Sequence, residues 1–404
     1  MSAYRLYLLI CGLGAFASRT AFTLNLIYQA TVVGLSPLQL VLVGTVMETV
    51  AFVAQVPTGV IADVISRRLS VIVGYLLTGA GLVLWAIVPA YAAVLAGTVV
   101  WTIGAVCVDG AEEAWAADEI EPDLVARAFV RGGQFGQAGS LLGIGAAVLL
   151  GLAGLAVPIV AGGLLTLLLG VLLVFLMREE HWAPAAAHGS WHSMRRQVVE
   201  GAGAVRHSAL LTALVAGTFF AGLASEGFDR LSQPFLLPMT GGHRPELVFG
   251  ALAAVASVGS IVVTGLVGRR LDTLDPRRTG RLLAVIQSIT AAGMIWFGLT
   301  GAWSVAVPLY LVVSLLRNTS GPILTVWLVS ATSAESRATV FSFQAQADAL
   351  GQIAGGPPVG LLAGRRSTGA GLSLAGLFLL PAVTIFAWAA RRPKFRNRPS
   401  PASI

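Results

Sequence analysis

Residues 38–68 read LQLVLVGTVMETVAFVAQVPTGVIADVISRR. Residues 38–62 are mostly apolar, and charged side chains collect just after them, at Asp63, Arg67 and Arg68. A helix rises about 1.5 Å per residue, so an apolar run of about 20 residues matches the hydrocarbon thickness of a bilayer. This stretch therefore predicts a helix that crosses a membrane and ends at a charged boundary.

The same pattern repeats along the whole chain of 404 residues, which is 56% hydrophobic and 11% charged and has a mean hydropathy of +0.82. Only helices and closed barrels satisfy the backbone in lipid, and these runs lack the alternation of barrel strands. We therefore predict an all-α membrane protein with twelve transmembrane helices in two six-helix bundles. The predicted spans, one to twelve, are residues 6–32, 38–62, 69–88, 91–117, 128–152, 155–177, 209–237, 247–268, 282–299, 303–329, 340–363 and 372–389.

Arginine is concentrated in alternate connections between the spans, and cytoplasmic loops of membrane proteins carry the excess of positive charge. We expect a multi-pass protein of the inner (plasma) membrane with both termini cytoplasmic, which requires an even number of spans. The net charge of +7 is then a sign of topology, and no nucleic-acid partner is expected. The arginines of the predicted cytoplasmic side include Arg67, Arg68, Arg127, Arg131, Arg178, Arg206, Arg277, Arg278, Arg281, Arg337 and Arg391.

One long hydrophilic connection divides the spans six and six. The predicted domains are an N-terminal bundle (1–177), a cytoplasmic linker (178–207), a C-terminal bundle (208–390) and a basic cytoplasmic tail (391–404). The halves echo each other, because span two and span eight both end in a glycine-containing run followed by two arginines, Arg67-Arg68 and Arg269-Arg270. Parallel repeats of this kind suggest a transporter with its site between the halves.

The residues that end span two carry a family resemblance. Gly59, Asp63, Arg67 and Arg68 resemble the signature G-x-x-x-D-x-x-G-R-R/K of the major facilitator superfamily, with Ser66 in place of the second glycine. The runs GLSPLQ (34–39) and DGAEEAW (109–115) are also similar to this superfamily, and together they resemble bacterial drug efflux members of the macrolide and tetracycline type.

The resemblance implies a gating role for the signature. In family members the acid, here Asp63, docks on a helix of the other half and latches the outward-open state. The alternative is a simple boundary cluster whose arginines extend toward the lipid headgroups. In the second half Arg269 stands where the acid would be, so that copy of the signature is degenerate.

Several ionisable residues fall inside the predicted spans, where they are costly unless they face a cavity or a partner. We expect cavity or proton-coupling roles for them, because the resemblance places spans one, four, seven and ten around a central cavity. These candidates are Arg19, Glu48, Asp109, Glu112, Glu113, Glu226, Asp229, Arg317 and Asp348.

The signs of these charges suggest pairs. Span one carries Arg19 opposite the acids of span four, and span ten carries Arg317 opposite the acids of span seven. Asp109, Glu112 and Glu113 are spaced to share one helical face, and crowded carboxylates can share a proton. The alternative is that these groups are structural pairs that only fix helix packing.

We therefore predict a proton-coupled exporter of amphipathic or cationic small molecules, acting as a monomer in the lipid bilayer. The alternatives are proton-coupled uptake of a metabolite, or a non-transporting membrane component. Against an antiporter, the glycine-rich span five (Gly132, Gly136, Gly139, Gly143) lacks the proline of the glycine motif that drug antiporters of this superfamily often carry there. No phosphate-binding loop of the G-x-x-x-x-G-K-[ST] type indicates a primary pump, and we expect no enzymatic activity, metal or cofactor.

Overall fold

The computed structural model describes residues 1–181, 203, 205–271, 275–332 and 337–391. The regular structure in these ranges is helical throughout, with one 3-10 turn at Leu237–Thr240. The helices of the first half are α1 (Ala3–Phe22), α2 (Asn25–Thr31), α3 (Pro37–Val64), α4 (Arg67–Ile87), α5 (Tyr91–Val108), α6 (Ala111–Glu119), α7 (Pro122–Gly151) and α8 (Ala156–Leu176). Those of the second half are α9 (Ala209–Leu236), α10 (Pro245–Leu271), α11 (Pro276–Leu299), α12 (Trp303–Ala331), α13 (Arg337–Arg365), α14 (Thr368–Phe378) and α15 (Leu380–Ala389).

Eleven helical segments in the described ranges are long and apolar enough to cross a membrane. This confirms the prediction of an all-α membrane protein. The helix α13 is as long as the others but is not among the eleven, since it carries the polar side chains Gln344, Gln346, Asp348 and Gln352. The count of twelve spans and the domain boundaries stay predictions, and most of the 178–207 linker and the 391–404 tail lies outside the described residues.

Three predicted spans are each built from two helices. Span one breaks between α1 and α2, span four between α5 and α6, and span twelve between α14 and α15. Gly110 lies just after the first helix of span four and has φ +76°. Residues other than glycine rarely adopt this left-handed conformation. Pro381 lies at the start of α15, where its missing N–H interrupts the helical hydrogen bonds of span twelve.

Other helix starts follow from local capping chemistry. The Ser36 hydroxyl accepts a hydrogen bond from the Gln39 backbone N–H at 3.3 Å, and the Gln39 side chain accepts one from the Ser36 N–H at 2.9 Å. With Pro37 at the first helical position, this capping box begins α3. Ser66 caps α4 in the same way, accepting from the Leu69 N–H at 2.9 Å.

The two halves use the same close helix contact. In the first half α1 packs along α7, where Gly139 lies directly against the Gly12 backbone. In the second half α9 packs along α13, where Gly355 lies against the Leu223 backbone. A side chain at either glycine would overlap backbone atoms, so small residues set these helix separations. Gly139 belongs to the glycine-rich span five, so those glycines allow the close approach of α1.

The halves meet mainly through α3, which contacts α9 and α13. The first part of α3 is packed closely on α13, where Gly360 lies against Leu38 and Gly356 against Thr45. Further along α3 the Gln346 amide donates to the Gln55 side chain at 3.1 Å. Beyond that point α3 is largely exposed, so the halves touch near one end of α3 and separate toward Asp63.

Candidate functional site

A polar cavity of about 300 Å³ lies inside the second half of the chain. Its wall is formed mainly by α9, α11, α12 and α13, with α15 closing one side. The volume is at the lower end of the range for small-molecule sites. The polar side chains of the wall are Thr218, Ser225, Asp229, Gln287, Thr290, Arg317, Ser320, Gln344, Asp348 and Gln352.

An ion pair with two hydrogen bonds crosses the cavity wall from α9 to α12. The Arg317 guanidinium donates to the two Asp229 carboxylate oxygens at 2.6 and 2.7 Å. Its central carbon lies 5.1 Å from the centroid of the Phe228 ring, a cation–π distance. The pairing of opposite charges predicted for spans seven and ten is confirmed here. The bidentate geometry holds Arg317 in place and compensates its charge.

Asp348 supplies a second carboxylate to the cavity. Its side chain accepts a hydrogen bond from the Gln352 amide at 3.0 Å and forms no salt bridge with any described residue. It lies within electrostatic reach of Arg317 and Asp229. With all three groups ionised, the cavity wall has a formal charge of −1, which favours a cationic or hydrogen-bonding ligand.

A buried ion pair on α9 faces the other half. Glu226 and Arg230 are one helical turn apart, with the Arg230 Nε 3.4 Å from a Glu226 oxygen. The side chains are only 2% and 10% exposed. The guanidinium also contacts the Met47 sulfur of α3 at 3.2 Å. Gly44 of α3 leaves the space for the pair, because a Cβ there would overlap the Glu226 carboxylate.

Glu48 brings another carboxylate from α3 to the same region. It is partly exposed, forms no salt bridge with a described residue and interacts electrostatically with Glu226, Arg230, Asp229 and Asp348. Four carboxylates and the two arginines already described therefore gather where α3 meets the second half. This group contains five of the nine residues predicted for cavity or proton-coupling roles.

The acids of span four do not share one helical face, and this prediction is wrong. The chain turns at Gly110, so Asp109 follows the end of α5 while Glu112 and Glu113 begin α6. Asp109 and Glu113 are exposed and Glu112 is buried. The Tyr75 hydroxyl of α4 donates to the Glu112 carboxylate at 2.9 Å. Glu112 is thus a buried acid with a phenol partner.

Arg19 does not form the pair predicted for it with span four. Its side chain is exposed, and no salt bridge joins it to any residue that the structure describes. Its Cβ lies beside Gly143 of α7, whereas Glu112 bonds to α4 on another side of the bundle. Arg19 is therefore an uncompensated cation in the described part of the first half.

The signature residues form a network at the end of α3. Arg67 contacts Asp63 at 3.3 Å, pairs closely with Asp118 after the turn of span four, and donates to the Ala114 carbonyl at 3.3 Å. The Asp63 side chain is 53% exposed and makes no salt bridge to the described second half. Gly59 has open space beside it. The latch that the resemblance implies for Asp63 is not engaged in this conformation.

Arg68 ties the signature to the end of span six. It donates to the Met177 carbonyl at 2.6 Å and to the Val174 carbonyl at 2.7 Å, which caps α8. In return the Glu179 carboxylate accepts from the Ser66 hydroxyl at 2.6 Å and from the Arg68 N–H at 3.0 Å. Sequence reasoning missed Glu179, because it is 113 positions from Ser66 in the sequence and meets the first turn of α4 only in the folded chain.

Sequence reasoning also missed the amides of the cavity. Gln287, Gln344 and Gln352 lie in the apolar runs of spans nine and eleven. Each is uncharged and so escaped a search for ionisable residues, but polar side chains in such runs are a signal for a cavity. Tyr75, the partner of Glu112, gave no such signal because tyrosine is common in membrane helices.

The arrangement of long apolar helices around a polar cavity defines a multi-pass membrane protein. The chain belongs to the Major Facilitator Superfamily, whose family profile matches residues 8–356. The comparison with curated proteins gives no match.

The fold is shared with solved transporters. The nucleoside transporter NupG has a TM-score of 0.76 at 11% identity over 97% of this chain and 100% of that chain. A bacterial homolog of the human lysosomal transporter Spinster, inward-facing and unoccupied, has a TM-score of 0.74 at 16% identity over 96% of both chains. A POT family transporter in complex with a thioalcohol-conjugated peptide scores 0.74 at 11% identity over 96% of both chains. At these identities the likeness shows the fold, and with the family it makes this chain a membrane transporter rather than an enzyme.

Proposed function

We propose that the chain is a secondary active transporter that exports small cationic or amphipathic molecules in exchange for protons. The observation that carries this proposal is the cavity with Asp229, Arg317 and Asp348, whose formal charge is −1. Apolar side chains complete the wall, among them Met294 and Phe386, and they suit the hydrophobic part of an amphipathic cation. The drug-efflux resemblance of the sequence motifs agrees with this substrate class.

We propose a topology of twelve spans, with α13 as the eleventh and both termini cytoplasmic. The polarity of α13 is compatible with a span because its Asp348, Gln344 and Gln352 face the cavity rather than lipid. The arginine distribution supports the orientation in an inner membrane. The start of α3 then faces outward, so the contact between the halves closes the outer side and the substrate enters from the cytoplasm. We propose that a single chain carries out transport.

We propose that carboxylates facing the cavity carry the proton. Asp348 and Glu48 are the first candidates, because neither has an arginine partner among the described residues, unlike Asp229 and Glu226. Protonation of Asp348 would remove the negative charge that attracts a cation, which couples proton uptake to substrate release. Glu112 is the alternative carrier, since it is buried with only a tyrosine as a bonded partner.

The test is transport in proteoliposomes with an imposed pH gradient. Ethidium serves as the cationic probe, and its accumulation is compared for the unmodified protein, Asp348→Asn, Glu48→Gln and Glu112→Gln. The control is Glu180→Gln, which neutralises an exposed carboxylate outside the cavity. We expect Asp348→Asn to abolish uphill transport while the control transports normally.

The other results are equally informative. Full pH-driven accumulation by Asp348→Asn and Glu48→Gln together with loss in Glu112→Gln would place the proton carrier in the first half. Accumulation that follows protons inward would indicate uptake instead of export. Failure of a broad panel of cations, neutral drugs and metabolites to move would contradict the transport proposal and favour a non-transporting component.

A further inference from the structure

A groove of about 650 Å³ lies between α9 and α15 on the outside of the second helix bundle. On α9 it is lined by Ala209, Thr212 and Ala216, which recur on one helical face. On α15 it is lined by Thr384, Ile385 and Trp388. The small side chains of α9 make the groove wide, and its surface is almost entirely apolar.

The groove is separate from the polar cavity. Phe386 lines the cavity on the other side of α15 and packs directly on Gly217 of α9. This contact closes the wall between the two spaces. A ligand in the groove therefore faces the surroundings of the bundle and does not reach Asp229 or Asp348.

Positive charge flanks one end of the groove. Arg206 lies three residues before Ala209, and Arg391 lies three residues after Trp388. Both arginines are exposed, and neither forms a salt bridge with a described residue. Since α9 begins where α15 ends, both stand at the same end, and the chain continues beyond them with the basic sequence RPKFRNR over residues 392–398.

We propose that this groove binds an anionic phospholipid, with an acyl chain between α9 and α15 and the phosphate between Arg206 and Arg391. The apolar lining excludes a polar solute from the groove itself, while the arginines complement a negative headgroup. In the orientation proposed above, the lipid belongs to the cytoplasmic leaflet, whose surface is anionic. An arginine near such a surface strengthens binding about fivefold, so the two together give roughly 25-fold.

The test is lipid binding by native mass spectrometry of the purified full-length protein titrated with phosphatidylglycerol or phosphatidylcholine. We expect phosphatidylglycerol to bind more tightly, and the double variant Arg206→Gln/Arg391→Gln to weaken it roughly 25-fold without weakening phosphatidylcholine. The matched control is Arg365→Gln/Arg366→Gln, which removes two exposed arginines at the end of α13. The control should bind phosphatidylglycerol normally.

A second variant tests the groove itself. Thr212→Phe fills the space from an exposed position, and it should weaken both lipids while the protein elutes as before in size-exclusion chromatography. Two results would overturn the proposal. One is an equal loss of phosphatidylglycerol binding in the control pair, which would indicate unspecific attraction. The other is full displacement of the lipid by inorganic phosphate with no effect of Thr212→Phe, which would indicate an anion site alone.

Discussion

Removing the Arg230 guanidinium is expected to destabilise the protein unless Glu226 is neutralised as well. The two side chains are almost fully enclosed between α9 and α3, and they touch through one atom pair at 3.4 Å. Breaking a buried ion pair costs about 3–5 kcal/mol, because the remaining charge is left without a partner. Because the pair makes a single long contact, we expect Arg230→Met to lose free energy of unfolding at the low end of this range, about 3 kcal/mol. This loss corresponds to roughly a hundredfold in the ratio of folded to unfolded protein.

The assay is reversible unfolding of the purified protein in mixed micelles by increasing sodium dodecyl sulfate. Arg230→Met should lose about 3 kcal/mol, and Arg230→Met/Glu226→Gln should recover most of that loss. The control Arg178→Met removes the exposed pair with Glu180, which has the similar separation of 3.5 Å but side chains that are 81% and 60% exposed. It should cost less than about 1 kcal/mol.

A double variant as unstable as Arg230→Met would refute the reasoning. In that case the loss would come from the contact of the Arg230 guanidinium with Met47 and not from an unpaired acid. An equal loss in the Arg178→Met control would show that burial is not what sets the cost. The unfolding midpoint of the unmodified protein in the same micelles is the reference for all the variants.

Three further predictions concern gating, packing and topology. Asp63→Asn should lower transport several-fold at normal membrane abundance, since the exposed acid, paired here only with Arg67 of its own half, is placed to latch the alternate state. Unchanged turnover would leave Asp63 a boundary charge. Gly351→Ala should lower the free energy of unfolding in the micelle assay by about 1–3 kcal/mol, because its Cβ would overlap the Phe219 carbonyl oxygen. The control Gly133→Ala has open space beside it and should be near neutral. Equal effects would contradict the packing argument. A cysteine introduced in the 178–206 linker, after replacement of the native cysteines, should resist impermeant labelling of intact cells; labelling from outside would reverse the topology.

Much of the fold followed from chemistry that is local in the sequence. Apolar runs predicted the spans, and the break after span five was confirmed between Gly151 and Ala156. Opposite charges on spans seven and ten predicted that Arg317 pairs with an acid of span seven, because a bilayer leaves such charges few other partners, and the structure shows that this acid is Asp229. The turn at Gly110 was missed although an Asp-Gly pair is a turn signal. The apolar run predicted one continuous helix there, and the turn signal of Gly110 was not used.

The contacts that depend on helix rotation could not be predicted in the same way. Glu112 meets Tyr75 only because α6 leaves the line of α5 at a turn and packs against α4. Glu179 reaches Ser66 only because α8 ends beside the start of α4. Neither partner can be chosen from spacing, since the residues are 37 and 113 positions apart. Such pairs require the packing to be known first.

The distribution of ion pairs fits a protein whose halves must separate and rejoin. In the described part of the chain, no salt bridge joins residues 1–181 to residues 205–391. Among the described residues, the side-chain hydrogen bonds between these parts are Gln346 to Gln55 and Arg230 to Met47. The remaining contact is van der Waals packing on small residues such as Gly44. Opening this interface therefore leaves the ion pairs within each half intact and breaks few hydrogen bonds, although it uncovers the buried Glu226–Arg230 pair. Because few bonds between the halves must break, the conformations with this interface closed and open can be close in free energy. A modest difference in substrate or proton binding can then shift the balance between them.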